Sequence, residues 1–99
     1  MYVISGSAKP LGYQQQVVGT VAVGITLVPA GTTHLLYSIE GPVALRWRDD
    51  GVAPSSTVGM PASAGVQNSL YWGYPGGLQF IAAAAGTATL DISYYQGLV

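Results

Sequence analysis

The stretch TATLDISYY, residues 87–95, sets Ala88, Leu90, Ile92 and Tyr94 against Thr87, Thr89, Asp91, Ser93 and Tyr95. A period of two places each set on one face of a strand, so the segment predicts a strand with one face turned to a core. Working outward, the same period recurs. In THLLYSIE (33–40), Leu35, Tyr37 and Ile39 oppose His34, Leu36, Ser38 and Glu40. In VALRWR (43–48), Val43, Leu45 and Trp47 oppose Ala44, Arg46 and Arg48. TVAVGITLV (20–28) reads likewise, with Val21, Val23, Ile25 and Leu27 on the apolar side. VQNSLYW (66–72) and LQFIAA (78–83) predict shorter strands.

Between these runs lie PAGTT, EGPV, YPGG and AGTA, each a turn signal built on Gly or Pro. Sustained helical spacing is missing; the alanine run 82–85 is too short to nucleate a helix and ends at Gly86. With 14 glycines and turns at strand-like intervals, the pattern predicts an all-β fold. The expected architecture is a small antiparallel β-sandwich, jelly-roll-like, in a single domain over residues 1–99.

At 10.2 kDa such a domain buries roughly 60–65% of its unfolded surface, enough for a modest core. Only 7% of residues are charged, where soluble domains average about 25%. Hydrophobic residues make up 49%, net charge is -1, and mean hydropathy is +0.39. A small domain has much surface for its volume, and this one has few charges to cover it. The expectation is a subunit of an assembly, a homo-oligomer or a partner of other subunits.

Three basic residues make a poor electrostatic footprint on phosphates, which argues against nucleic-acid binding. Without cysteine there is no disulfide framework, thiolate metal site or cysteine nucleophile. The start MYVISGSAKP does not read as a signal peptide, and no apolar run reaches the length of a membrane span. The sequence thus predicts a protein made in the cytoplasm that stays soluble until assembled, with no membrane partner and no cofactor.

The chain has three basic and four acidic residues, and ALRWRDDG (44–51) concentrates Arg46, Arg48, Asp49 and Asp50. Gly41 and Pro42 suit the two centres of a type II′ hairpin turn. That turn would set Glu40 opposite Val43, Tyr37 opposite Arg46, Leu35 opposite Arg48 and His34 opposite Asp49. A cation–π contact of Arg46 on Tyr37 and an ion pair of His34 with Asp49 follow as expectations. Trp47, Leu45 and Leu36 would lie on one face of the hairpin, Leu35, Tyr37 and Ile39 on the other, one of them covered by a neighbouring subunit. Arg46 and Arg48 would then need carboxylates, from Asp49, Asp50, Glu40 or a neighbour.

As a catalytic site the cluster is weak, because arginines beside carboxylates favour the ionised acid and make it a poor base near neutral pH. His34, the single histidine, has no hydroxyl nucleophile beside it in a recognisable pattern, although Ser55 or Ser56 could approach in space. DDG lacks the alternating ligands of calcium loops, so no metal is expected. The reading is non-enzymatic. Downstream, DDGVAPSSTVGMPASAG (49–65) carries no clear strand; its Val52, Val58 and Met60 predict a contact loop rather than a free tether. MYVISGSAKPLGYQQQ (1–16) predicts an arm or, through YVIS, an edge strand.

RWRDDG (46–51), followed by Pro54, SST (55–57), VGM (58–60) and PASAG (61–65), resembles a pattern in small proteins of tailed bacteriophages and prophages. There a strand ending in an Arg-aromatic-Arg-Asp-Asp-Gly run leads into a Pro-Thr/Ser and Gly-Met loop. VPAGTTH upstream and GTATLDISYY downstream fit the same layout, so the likeness spans about residues 20 to 95. The resemblance implies a virion structural protein, located in the virion, with other virion subunits such as the major capsid protein as partners. It supplies no catalytic residue.

Three functions are compatible. A capsid decoration or cement protein matches the low charge, the nonpolar faces and the long loop. A neck, tail or fibre component would need the same surface. A carbohydrate-binding module could use Trp47, Trp72, Tyr71, Tyr74, Tyr94 and Tyr95 to stack on sugar rings, although so few large aromatics are also needed for packing.

Overall fold

The computed structural model describes residues 8–97. Eight strands form two sheets: β1 (Ala8–Val18), β2 (Val23–Gly24), β3 (His34–Glu40), β4 (Leu45–Arg48), β5 (Met60–Ala62), β6 (Gly65–Trp72), β7 (Gln79–Ala82) and β8 (Ala88–Gly97). One sheet runs β1-β8-β3-β6, the other β2-β7-β4-β5, and the pairings are antiparallel. First pairs with last, second with seventh, third with sixth and fourth with fifth. This is a long antiparallel ribbon rolled up on itself, the jelly-roll arrangement of a β-sandwich. Apart from one 3₁₀ turn at Pro75–Gly77, no helix occurs among the described residues.

The period-two reading of TATLDISYY holds: Ala88, Leu90, Ile92 and Tyr94 are each 3% exposed or less. They form the central row of the core with Leu35, Tyr37 and Ile39 of β3, against Leu45, Phe80 and Ala82 of the other sheet. Tyr37 meets Phe80 edge-on, with ring centroids 5.6 Å apart. Trp47 meets Tyr71 in the same way at 5.5 Å, and its indole Nε1–H donates to the Tyr37 hydroxyl at 3.1 Å. A polar bond thus sits at the seam between the sheets.

The hairpin expected from EGP does not form. Strands β3 and β4 belong to different sheets, and residues 41–44 carry the chain across. In the hairpin register, Leu35, Tyr37 and Ile39 would share a face with Arg46 and Arg48, leaving Leu45 and Trp47 on the opposite side. Crossing over puts Leu35, Tyr37 and Ile39 in one core with Leu45 and Trp47, so neither set needs a neighbouring subunit to cover it, while Leu36 stays on the outer face of its sheet. Gly41 makes the crossing at φ +125°, where a Cβ would stand 3.1 Å from the Ala88 Cα.

TVAVGITLV also departs from its reading. Only Val23–Gly24 is strand, and Val21 and Leu27 are 74% and 73% exposed, while Val23, Ile25 and Val28 pack on the core. Two glutamines of β1 replace ladder partners for this segment. Gln16 Nε2 donates to the Gly24 carbonyl at 2.9 Å, and Gln14 Nε2 donates to Thr26 Oγ1 at 2.6 Å. The Tyr94 hydroxyl donates to Gln14 Oε1 at 2.7 Å, which ties the stitch to the core. Of the expected arm or edge strand at 1–16, the part from Ala8 onward is the edge strand β1, paired with β8 through a bulge between Pro10 and Gly12. YVIS lies outside the described residues.

A charged arm and an apolar groove as candidate interaction sites

Segment 49–65 is not one loop. Met60–Ala62 is β5, hydrogen-bonded to β4, and the stretch before it is held to β4 where Arg46 reaches the Ser56 and Gly59 carbonyls. Pro54 is buried, and Ser55 and Val58 exchange backbone bonds of 2.9 and 3.3 Å. Ser55 Oγ also accepts the Val58 N–H at 3.0 Å. Val52, Val58 and Met60 remain 53%, 52% and 56% exposed, so an apolar fringe rides on a structured arm.

The arginines beneath it have different tasks. Arg46 donates from Nε to the Ser56 carbonyl at 3.1 Å and from Nη1 to the Gly59 carbonyl at 3.0 Å. Its planar fork clamps the arm to β4 through carbonyls instead of carboxylates, and the expected stacking on Tyr37 gives way to the Trp47–Tyr37 bond. Arg48 does pair with an acid. It holds Asp50 bidentately, Nε to Oδ1 at 3.0 Å and Nη2 to Oδ2 at 2.5 Å, across the turn that starts the arm. The guanidinium beside it, with the Val52 N–H, lowers the Asp50 carboxyl to about 2.

Asp49 accepts the Tyr71 hydroxyl at 2.6 Å, and burial together with this carboxylate pushes the Tyr71 phenol well above its ordinary range. An open cleft of ≈ 250 Å³ lies between Trp47, Arg48, Asp49, Asp50, Gly59 and Met60. A carboxylate held this far below its usual range is a poor general base, and the cleft brings no histidine to it. Among the described residues no group of three or more His, Asp or Glu is placed to hold a metal ion.

His34 is elsewhere. Buried in β3, it stacks on Tyr95 at 5.7 Å and has Nδ1 3.0 Å from Thr33 Oγ1, so the expected ion pair with Asp49 does not occur. Asp49 has Tyr71 instead, because the crossover put the two residues in different sheets. The structure therefore brings Arg46, Trp47 and Arg48 of β4 together with Asp49, Asp50, Val52, Val58 and Met60 of the arm, reaches Tyr37 through Trp47, and leaves His34 apart.

A second cluster on the outer face of β1-β8-β3-β6 escaped the sequence reading. Asp91 Oδ1 accepts Gln15 Nε2 at 2.9 Å and the Tyr13 hydroxyl at 3.3 Å. The Asp91 carboxyl also bonds and repels Glu40, raising the Glu40 carboxyl above its ordinary value. The two acids meet because β3 and β8 pair with Ser38 opposite Asp91, a register no local pattern encodes. Farther along this face Ala8, His34, Leu36, Leu70 and Tyr95 line an apolar groove of ≈ 290 Å³.

Of the aromatics that could have stacked on sugars, Tyr94 and Tyr71 are core residues, 1% and 4% exposed, and Trp47 is half-buried against Tyr71. Tyr74 is 75% exposed, Tyr95 is taken up by His34, and the Trp72 side chain lies outside the described residues. Compared with protein-family models, curated proteins and solved structures, the chain matches none.

Proposed function

We propose that this chain is a non-enzymatic structural subunit of a bacteriophage virion, most simply a decoration or cement protein that stabilises the head through contacts with the capsid subunits. The observation that carries the reading is how the charges of segment 44–51 are used. Arg46 clamps the arm, Arg48 and Asp50 lock its first turn, and Asp49 anchors Tyr71. Charge here fixes geometry, while Val17, Val21, Leu27, Val52, Val58, Met60, Leu70 and Tyr74 stay exposed. Such a surface suits lasting contacts better than a solitary life in water. The likeness of RWRDDG and its following loop to small phage proteins supplies the kind of particle, and jelly rolls recur among capsid domains, though fold alone assigns no function.

A neck, tail or fibre station needs the same surface chemistry and is separated by copy number. The test is to mix purified protein with heads of the source phage lacking it, sediment them and image the particles. Hundreds of copies ordered on the capsid lattice support decoration. A ring or fibre density moves the protein to neck or tail, and no association with any particle overturns the virion reading. The sugar-binding reading loses weight because two of its tyrosines are buried in the core.

A further inference from the structure

A four-strand sheet in each layer leaves four edges, and they are treated unequally. Edge strand β1 carries Lys9, Pro10 and a bulge; β2 is two residues long; β5 is three residues long with Pro61 at its centre. Charge, proline, bulges and shortness are the devices that keep sheet edges from pairing with other chains. Strand β6 shares only one of these devices, an irregular pairing in its first half. Its eight residues, GVQNSLYW, include no charge and no proline, and no strand borders its outer side among the described residues. A shift in its pairing with β3 falls between Ser69 and Gly65, opposite Tyr37 to Ile39, so Ser69–Trp72 is the regular stretch. There Ser69 is exposed and Leu70 is 41% exposed, while Tyr71 turns into the core.

We infer that β6 is a self-pairing edge: two copies of this chain join β6 to β6 in antiparallel fashion about a two-fold axis at Leu70, making one continuous eight-stranded sheet. A second copy is the occupant the chemistry favours. Identical uncharged edges approach without like-charge repulsion, and the chain's net charge of -1 adds little. Antiparallel pairing of a strand with itself closes as a two-fold contact and satisfies the open backbone groups of both copies at once. Opposed residues share a face, so Leu70 would meet its own copy on the outer face and extend the row from Leu36, its partner across β3. This contact deepens the assembly reading and rests on it only for its biological setting.

The chain contains no cysteine, which makes a clean probe. Leu70→Cys and, as a control on the exposed arm, Thr57→Cys are incubated at micromolar concentration with oxidised glutathione and run on a non-reducing gel. Parent and Leu70→Lys are sedimented in parallel, with circular dichroism to confirm folding. The expected result is a covalent dimer for Leu70→Cys and not for Thr57→Cys, a dimeric parent, and a dissociation constant raised at least about tenfold in Leu70→Lys. Equal cross-linking of the two cysteine variants, or a parent that sediments as a monomer up to submillimolar concentration, overturns the contact. A parent that self-associates or decorates heads while Leu70→Cys stays monomeric also overturns it, and leaves the assembly reading standing on another surface.

Discussion

Replacing Arg46 by alanine tests whether the arm is held by geometry. Arg46 makes two charge-assisted bonds, at 3.1 and 3.0 Å, to the Ser56 and Gly59 carbonyls. Such bonds are worth about 1.5–3 kcal/mol each when well buried, but Arg46 is only half-buried and water can replace part of each. About 1 kcal/mol apiece, or about 2 kcal/mol together, is the reasonable magnitude for Arg46→Ala. In a domain of this size that lowers the melting temperature by roughly 8–16 °C if the arm unfolds with the whole. If the arm opens by itself, the loss shows as faster cleavage near Val58 and Met60 by thermolysin, with a smaller change in melting. Arg46→Lys keeps the charge but cannot span both carbonyls, so it should fall between parent and alanine. Arg48→Ala should do much less, because the Arg48–Asp50 pair is exposed and solvent-screened. The reasoning fails if Arg46→Ala melts within about 2 °C of the parent and its arm is cut no faster.

Other outcomes follow from the core and the titrating groups. Tyr37→Phe should cost about 1–3 kcal/mol by denaturant unfolding, because it strands the Trp47 indole N–H at the seam between the sheets. Leu90→Ala, at a 0% exposed position in the central row, should cost about 2–5 kcal/mol in the same assay. Burial raises the Tyr94 phenol to about 12, so its contribution is complete below the ordinary tyrosine value near 10 and is lost as pH rises toward 12. Ultraviolet titration should therefore show late-ionising tyrosines coincident with alkaline unfolding; titration of all of them near 10 in the folded protein would contradict it. The raised Glu40 carboxyl works in the same direction at lower pH, so Glu40→Gln should melt higher than the parent at neutral pH and show a flatter acid-side profile.

Much of the fold was readable because alternation is local. TATLDISYY, THLLYSIE and VALRWR each showed an apolar face by alternation; all three faces lie in the core, including the one expected to need a neighbouring subunit. What alternation could not say is which strands share a sheet. EGP looks like a two-residue turn whether the chain doubles back or crosses the sandwich. The choice was made by burying Leu35, Tyr37 and Ile39 together with Leu45 and Trp47, a global condition. The charged cluster suffered the same ambiguity. The Arg48–Asp50 pair, two residues apart, was legible, whereas Arg46 to Gly59 and Asp49 to Tyr71 depend on the arm folding back and on the packing of two sheets. TVAVGITLV shows the converse limit. Its alternation is as clean as any in the chain, yet Gln14 and Gln16 satisfy it from the side and most of it never enters a ladder.

These side-chain stitches bear on why so few charges suffice. A monomeric sandwich commonly protects its surface and edges with Lys and Glu; this chain uses proline, bulges, short strands and amides instead. Those devices block misplaced pairing without creating repulsion between neighbours, which is what a repeating lattice of identical subunits needs. They are also applied unequally, since β6 has no proline and its pairing is irregular only between Gly65 and Ser69. Had low charge been incidental, the four edges would be expected to be equally bare. On the proposed reading, this inequality links composition to assembly: neutral surfaces suit close packing, three edges are blocked by shape or charge, and the regular end of β6, Ser69–Trp72, is left able to pair.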